Sequence, residues 1–342
     1  HRVEVSAGLH IEPGRRDWPH GSHNHQSRHD GLSFVGSGIP MSARSFSVFI
    51  VTVTFLFGAT ARPQIPATFG LMSNRSSSAT TCRSYLTTAS GTSWTLPAHW
   101  NNSNNSIELI GAGGGGGTGA SSSGASGGGG GGYTKIVNVT LSTSPVAFSV
   151  GQGGAADQPG GDTYFCNSSS NCATIAGTAV VVGAKGGSGG LLSGNAQAAA
   201  GGASTGAVVT GTGWVKTTGG WGGGYNAGYG GGGGGAAGAN GAGGDGNALS
   251  NYDSGAGDNG LGGAAVLTTS TAGNPGTEWS SSPTYGSGSG GSGGNTGNPG
   301  TVGGAGGIYG GGGGGGGKGT KAGGTGGAGL IVITYLSSST CP

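Results

Sequence analysis

The sequence predicts an all-β protein. Its small β-sandwich-like base carries a glycine-rich body of polyglycine II-like extended strands and loops, with almost no α-helix. Three observations predict this. Apolar residues gather in short β-branched or aromatic runs flanked by Gly, Pro, Asn and Ser, which is strand patterning. Long runs of pure glycine separate them. No stretch of the body shows the apolar spacing of an amphipathic helix.

The candidate strands follow in order. Residues 93–96 precede Pro97, and 107–110 lead directly into Gly111. Residues 136–141 and 146–150 alternate apolar with polar, 163–165 are brief, and 178–182 are mostly β-branched. Residues 330–336 form the closing strand.

Glycine accounts for 90 of 342 residues and proline for 12, a composition that without a strict triplet period usually means disorder. The distribution argues otherwise. Only nine glycines precede residue 111; pure-Gly runs then occupy 113–117, 127–132, 230–235 and 310–317. Ordering a glycine costs about 1–2 kcal/mol of backbone entropy and returns almost no apolar burial. Main-chain hydrogen bonding must offset that cost. Extended polyproline II-like segments turn every three residues and make no internal hydrogen bonds, so neighbouring segments supply the partners. Collagen is excluded because the glycines do not keep a three-residue register. Strong strands at 107–110 and 330–336 bracket the stretch, as in a chain whose ends pair while its middle folds back between them.

The front of the chain reads differently. Residues 1–40 hold six of the seven histidines and no hydrophobic period, and read as leader or upstream translation. A metal tract through His20, His23, His25 and His29 has no cysteine or framework to support it. Residues 41–61 read as a secretory signal peptide: Arg44, an apolar run over 46–57, and the small-residue cleavage site Ala59-Thr60-Ala61. That run reaches only about 18 Å, too short for a stable membrane anchor. Cleavage is expected after Ala61, giving an extracellular, secreted chain; a start at Met72 would remove the signal. Residues 62–84 read as a linker, 85–336 as the glycine-rich domain and 337–342 as a C-terminal tail.

Four cysteines, Cys82, Cys166, Cys172 and Cys341, are an even count suited to disulfides in an exported chain. Three pairings are open; Cys166–Cys172 with Cys82–Cys341 is preferred. Glycosylation patterns occur at Asn74, Asn101, Asn104, Asn138 and Asn167.

The residues of catalysis are scarce. Only 7% of the chain is charged, net charge is +2, and residues 111–342 contain no Arg and no His. This argues against an enzyme and against nucleic-acid binding, which needs clustered cations. After the signal the sole histidine is His99, and no spacing singles out a pair among Asp157, Asp162, Asp245, Asp253, Asp258 and Glu278. The run ending in Lys318 imitates a phosphate loop but has Gly319 where Ser or Thr is needed. Residues 243–247 are one degenerate copy of a calcium repeat, too little for a coordination shell. No cofactor and no metal are expected.

Aromatics are the better lead. Trp214, Trp221, Tyr225, Tyr229, Tyr252, Trp279, Tyr285 and Tyr309 sit among Gly and Ser. They either cap a thin core or supply large, rigid contact surface. Trp214, Trp221, Tyr225 and Tyr229 are the candidate binding residues, forming a tip for a cell-surface glycan or another surface receptor.

The order of short motifs resembles the glycine-rich domain proteins of bacteriophage tail fibres and prophage regions. The opening Trp94-Thr-Leu-Pro-Ala98 stands before Ile107-Glu-Leu-Ile-Gly111 and polyglycine. Gly131-Gly-Tyr-Thr-Lys-Ile136, Phe148-Ser-Val-Gly-Gln-Gly-Gly154, Gly160-Gly-Asp-Thr-Tyr-Phe165 and Val182-Gly-Ala-Lys-Gly-Gly187 follow, and Gly329-Leu-Ile-Val-Ile-Thr-Tyr335 closes. The resemblance implies a β-rich base with polyglycine layers, a structural or receptor-facing role in an adhesion device, and no catalytic residues. The role so implied is extracellular or, alternatively, on a virion surface; a signal peptide and the 166–172 insertion depart from a virion protein, whereas a start at Met72 would favour one. Homo-oligomerisation is compatible with such a role, though no heptad marks it. The alternative is a secreted glycine-rich ice-binding protein, in which stacked segments would present a flat face of small side chains.

Overall fold

The computed structural model describes residues 79–87, 93–169, 173–192, 212–247, 252–338 and 340–341. The leader, the signal peptide and its cleavage site, most of the 62–84 linker, Asn74 and Cys172 lie outside them.

β-Branched and aromatic runs form strands where expected, and two antiparallel sheets result. The first has the order β1 (Thr80–Leu86), β11 (Leu330–Ser337), β3 (Asn105–Ile110), β4 (Tyr133–Val137), β8 (Thr212–Thr217). The second has the order β2 (Ser93–Trp94), β5 (Val146–Ser149), β6 (Thr163–Cys166), β7 (Val180–Ala184). A two-stranded ribbon, β9 (Ser280–Ser281) and β10 (Thr284–Tyr285), completes the set. A 3-10 turn at Asp258–Gly260 is the one helical element among the described residues.

Alternation decides what each face of the first sheet touches. Ile107 pairs with Ile333 and Ile136, and Leu109 with Ile331. These residues share one buried cluster with Trp94, Val146, Phe148, Phe165 and Val182 of the second sheet. The two sheets therefore pack as a sandwich around an aliphatic and aromatic core. Residues one step out of phase, Ile110, Tyr133, Leu330 and Val332, point to the other face and pack on Ala236 and Ala237.

Beyond the sandwich the strands run on as polyglycine. Segment 111–119 leaves β3, and segment 124–132 returns into β4. Its hydrogen bonds repeat every three residues. The N–H groups of Gly113, Gly116 and Gly119 donate to the carbonyls of Gly327, Gly324 and Lys321 at 2.8–2.9 Å. Those of Gly111, Gly114 and Gly117 donate to Gly132, Gly129 and Ser126, and those of Ala112 and Gly115 to Gly161 and Gln158. The carbonyls receive from three further segments: Gly113 from Gly154, Ala112 from Gly187, Gly114 from Gly313. Six neighbours thus surround one extended strand, each reached once per three-residue turn, which is polyglycine II-like packing. Segment 310–318 is enclosed in the same way by 301–307, 228–234, 114–120, 125–131, 291–294 and 324–327.

This spacing has no room for side chains. A Cβ added to Gly114 would overlap the carbonyl of Ser188, one on Gly116 that of Gly314, and one on Gly313 that of Gly324. Beside main-chain bonds from Ser254 N–H to Val266 and from Ser289 N–H to Asn274, serine hydroxyls accept the return N–H of the neighbouring segment. Ser254 Oγ accepts from the N–H of Val266 at 2.8 Å, and Ser289 Oγ from that of Asn274 at 2.8 Å.

Some boundaries differ from the sequence reading. Residues 80–84, read as linker, are the first part of β1, because pairing with β11 orders a run of polar residues that alone has no strand signal. Ser337, read as tail, belongs to β11, and Cys341 is bonded to Cys82 across 259 positions. Strand β4 ends at Val137 rather than continuing to 141, since Asn138 adopts φ 56°. Strand β8 lay unmarked in the sequence and binds the free edge of β4.

Candidate functional site

Both ends of the described domain lie at the sandwich, held by β1, β11 and the Cys82–Cys341 disulfide. The opposite end of the bundle is built from turns between polyglycine segments. Ala120 donates to the carbonyl of Ser123, and Asn226 and Tyr229 form an isolated bridge. The turns brace one another: Lys318 N–H donates to the carbonyl of Gly228, and Gly319 N–H to that of Ala120. Thr118 gives its N–H and its hydroxyl to the two Asp157 carboxylate oxygens at 2.7 and 2.6 Å. The tip is rigid because its turns share these bonds.

The four residues singled out in the sequence are not gathered into one loop. Trp214 lies on β8, at the edge of the first sheet, rather than in the tip. Pairing of 212–217 with β4, across a register shift between Lys135 and Val137, puts it on a strand and not in the loop that its Gly-rich surroundings suggested. Trp221 is 46% exposed on the polyglycine segment above β8, its N–H donated to Asp245 Oδ1 at 2.7 Å. Tyr225 and Tyr229 reach the tip. Tyr229 is 36% exposed and its ring is tilted against Tyr252 at 5.8 Å.

The remaining aromatics divide cleanly. Tyr285 stacks on Tyr85 at 3.9 Å and on Tyr309 at 6.0 Å, and together with Trp279 these rings pack over the outer face of the first sheet. They cap the core. Burial raises the Tyr309 hydroxyl above its ordinary pKa, with Tyr285 adding to the shift. Lys318, marked in the sequence only as the end of a run that imitates a phosphate loop, takes its place at the tip through folding. Folding lays its stem beside Gly228, where an added Cβ would come within 3.2 Å of Lys318 Cδ and 3.3 Å of Thr296 Cγ2.

Buried polar groups elsewhere are structural. Tyr133 donates to Glu108 Oε2 at 2.7 Å, and Lys135 sits 3.3 Å from Glu108 Oε1. Burial, and then the Glu108 charge, push the Tyr133 phenol far above its usual range. Asp258, fully buried, accepts from the main-chain N–H groups of Asn240 and Gly241 and from the Asn240 amide. Burial raises the carboxyl of Glu278 against the hydrogen bonds from Ser287 that lower it. No cluster of three or more His, Cys, Asp or Glu side chains that could hold a metal occurs among the described residues. Cys166 is disulfide-bonded; its expected partner Cys172 lies outside the described residues.

Fold and surface together define a class: a β-sandwich that carries a bundle of hydrogen-bonded polyglycine segments, ending in a braced polar and aromatic tip. The chain matches the glycine-rich domain family over residues 87–336 and belongs to that family. No curated protein matches it.

Proposed function

We propose that the protein is a non-enzymatic, extracellular structural or adhesion protein whose bundle tip meets a surface receptor, in the manner of the phage tail-fibre domains its motifs resemble. One observation supports this reading: the two ends of the described domain are pinned at the sandwich, and the opposite end carries the Tyr229–Tyr252 ring pair, with the Lys318 stem beside Gly228. Aromatic rings with flanking hydroxyls, amides and a lysine suit a glycan, offering apolar faces to sugar rings and donors to their hydroxyls. The Cys82–Cys341 disulfide suits an oxidising, extracellular setting.

The test is attachment to a glycan array and to cells. Tyr229→Ala with Tyr252→Ala should lower attachment at least tenfold while the protein stays folded. Tyr285→Phe, on the capped sheet face, should leave it unchanged. Equal attachment by the folded double variant would defeat the reading.

A further inference from the structure

The Asn-x-Ser/Thr patterns of the domain are not spread over the fold. Asn104 stands just before β3, Asn138 just after β4 and Asn167 just after β6. Each is at the end of its strand opposite to the one that runs on as glycine, and Asn101 lies in the turn that leads to Asn104. Residues 173–342 hold nine asparagines and many serines and threonines, yet no Asn-x-Ser/Thr. The pattern therefore follows position in the fold, not composition alone.

One buried side chain sets the geometry there. Asn105 Nδ2 donates to the carbonyls of Asn101 at 2.7 Å and Val139 at 3.0 Å, and its Oδ1 accepts from the Val139 N–H at 2.8 Å. The Asn138 N–H donates to the Asn105 carbonyl at 2.9 Å. Asn105 thus staples the turn before β3 to the turn after β4. Asn104 and Asn138 flank this staple, both exposed, and neither side chain makes a hydrogen bond among the described residues. Both line one shallow groove, with Thr81, Ser106, Thr334 and Leu336. The other two asparagines are tied. Asn167 is half-buried, its Oδ1 accepting from the Ser142 N–H at 3.1 Å and its Nδ2 facing the Thr140 carbonyl at 3.5 Å. Asn101 Oδ1 accepts from the Ser103 N–H at 2.8 Å, which turns its amide back onto its own loop.

An N-linked oligosaccharide is bulky and needs its asparagine amide in solvent. We propose that Asn104 and Asn138 are N-glycosylation sites whose oligosaccharides cover the groove they share, at the end of the domain opposite the tip. The donor is a lipid-pyrophosphate-linked oligosaccharide. Nδ2 bonds to the anomeric carbon, the bond from that carbon to the pyrophosphate oxygen breaks, Nδ2 gives up one proton, and the lipid pyrophosphate leaves. Ser106 and Thr140 supply the hydroxyls that the pattern requires two positions on. A sugar on Asn167 would have to enter where its Nδ2 faces the Thr140 carbonyl. Within the bundle it would enter where segments meet at main-chain contact. The proposal rests on the extracellular reading, because the donor is met on the export route. It leaves the tip bare to meet its receptor.

Peptide mapping of the protein from its natural source, after peptide N-glycosidase digestion in heavy-oxygen water, tests it. Heavy aspartate should replace asparagine at positions 104 and 138 and not at 167. In the full chain secreted by cultured eukaryotic cells, partial digestion should shift the mobility in two steps. Asn104→Gln and Asn138→Gln should each remove one step and the double variant both, whereas Asn167→Gln should keep both. Secreted protein with Asn104 or Asn138 unmodified, or with sugar on Asn167, would overturn the proposal and leave the extracellular reading standing. A chain retained in the cytosol with neither site modified would overturn both.

Discussion

The sandwich and the polyglycine bundle solve one problem by opposite means. In the sandwich, Ile107, Leu109, Phe165 and Ile331 exclude water with side chains, and strands of two sheets keep the separation that side chains impose. In the bundle, segment 111–119 touches six neighbours main chain to main chain, and nearly every N–H and carbonyl finds a partner there. Apolar burial dominates the first region. The second has almost no side chains to bury, so its order rests on hydrogen bonding and close packing of peptide groups. The lesson is that glycine content alone does not decide between order and disorder. Glycine permits this packing; the sandwich strands at each end align the segments so that it can form.

The sharpest way to break the comparison is to give each region the wrong kind of side chain. Gly313→Val puts branched carbon onto the carbonyl of Gly324, with backbone on every near side. It should prevent the bundle from closing, with amide-exchange protection lost across 111–132 and 310–317. Leu109→Ala removes packing from the sandwich and should cost about 2–5 kcal/mol by denaturant titration, leaving a folded protein. If Gly313→Val proves as mild as Leu109→Ala, the bundle is looser than its contacts require.

A smaller effect sharpens the account of the serines. Ser254→Ala leaves the N–H of Val266, inside the bundle, without its acceptor. The expected loss is about 1–3 kcal/mol, measured by the shift in denaturation midpoint. Ser254→Thr, which keeps the hydroxyl, should recover part of it.

The smallest expected effect concerns pH. Glu278 has a folded pKa above its unfolded value, chiefly through burial. The folded state then holds more protons than the unfolded state between those two values. Stability should fall as pH rises from the ordinary glutamate pKa through the raised one, because charging the buried carboxylate opposes folding. Glu278→Gln should flatten this slope in thermal melts taken from pH 4 upward.

Much of the sandwich was legible in the residues. β-Branched alternation located β3, β5, β6 and β11 within a residue or two. β1 and β8 escaped, because Thr80–Leu86 and Thr212–Thr217 are polar or mixed and become strands only by pairing with β11 and β4. The candidate tip was half legible: Tyr225 and Tyr229 reach it, while Trp214 stands on the sheet and Lys318 arrives from a distant segment. Tyr85, Tyr285 and Tyr309 could not be told from surface aromatics by composition, since their stack joins positions far apart in the chain.

By itself, the sequence determined that this chain must be built from short strands and nearly bare backbone, because local residue type sets backbone preference and steric bulk. It also named the cysteine pair that staples the ends. Only the tertiary structure decided which polyglycine segments adjoin and which aromatics are covered. Glycine carries no side-chain code for its neighbours, so their order is set by where the flanking strands enter and leave the sandwich.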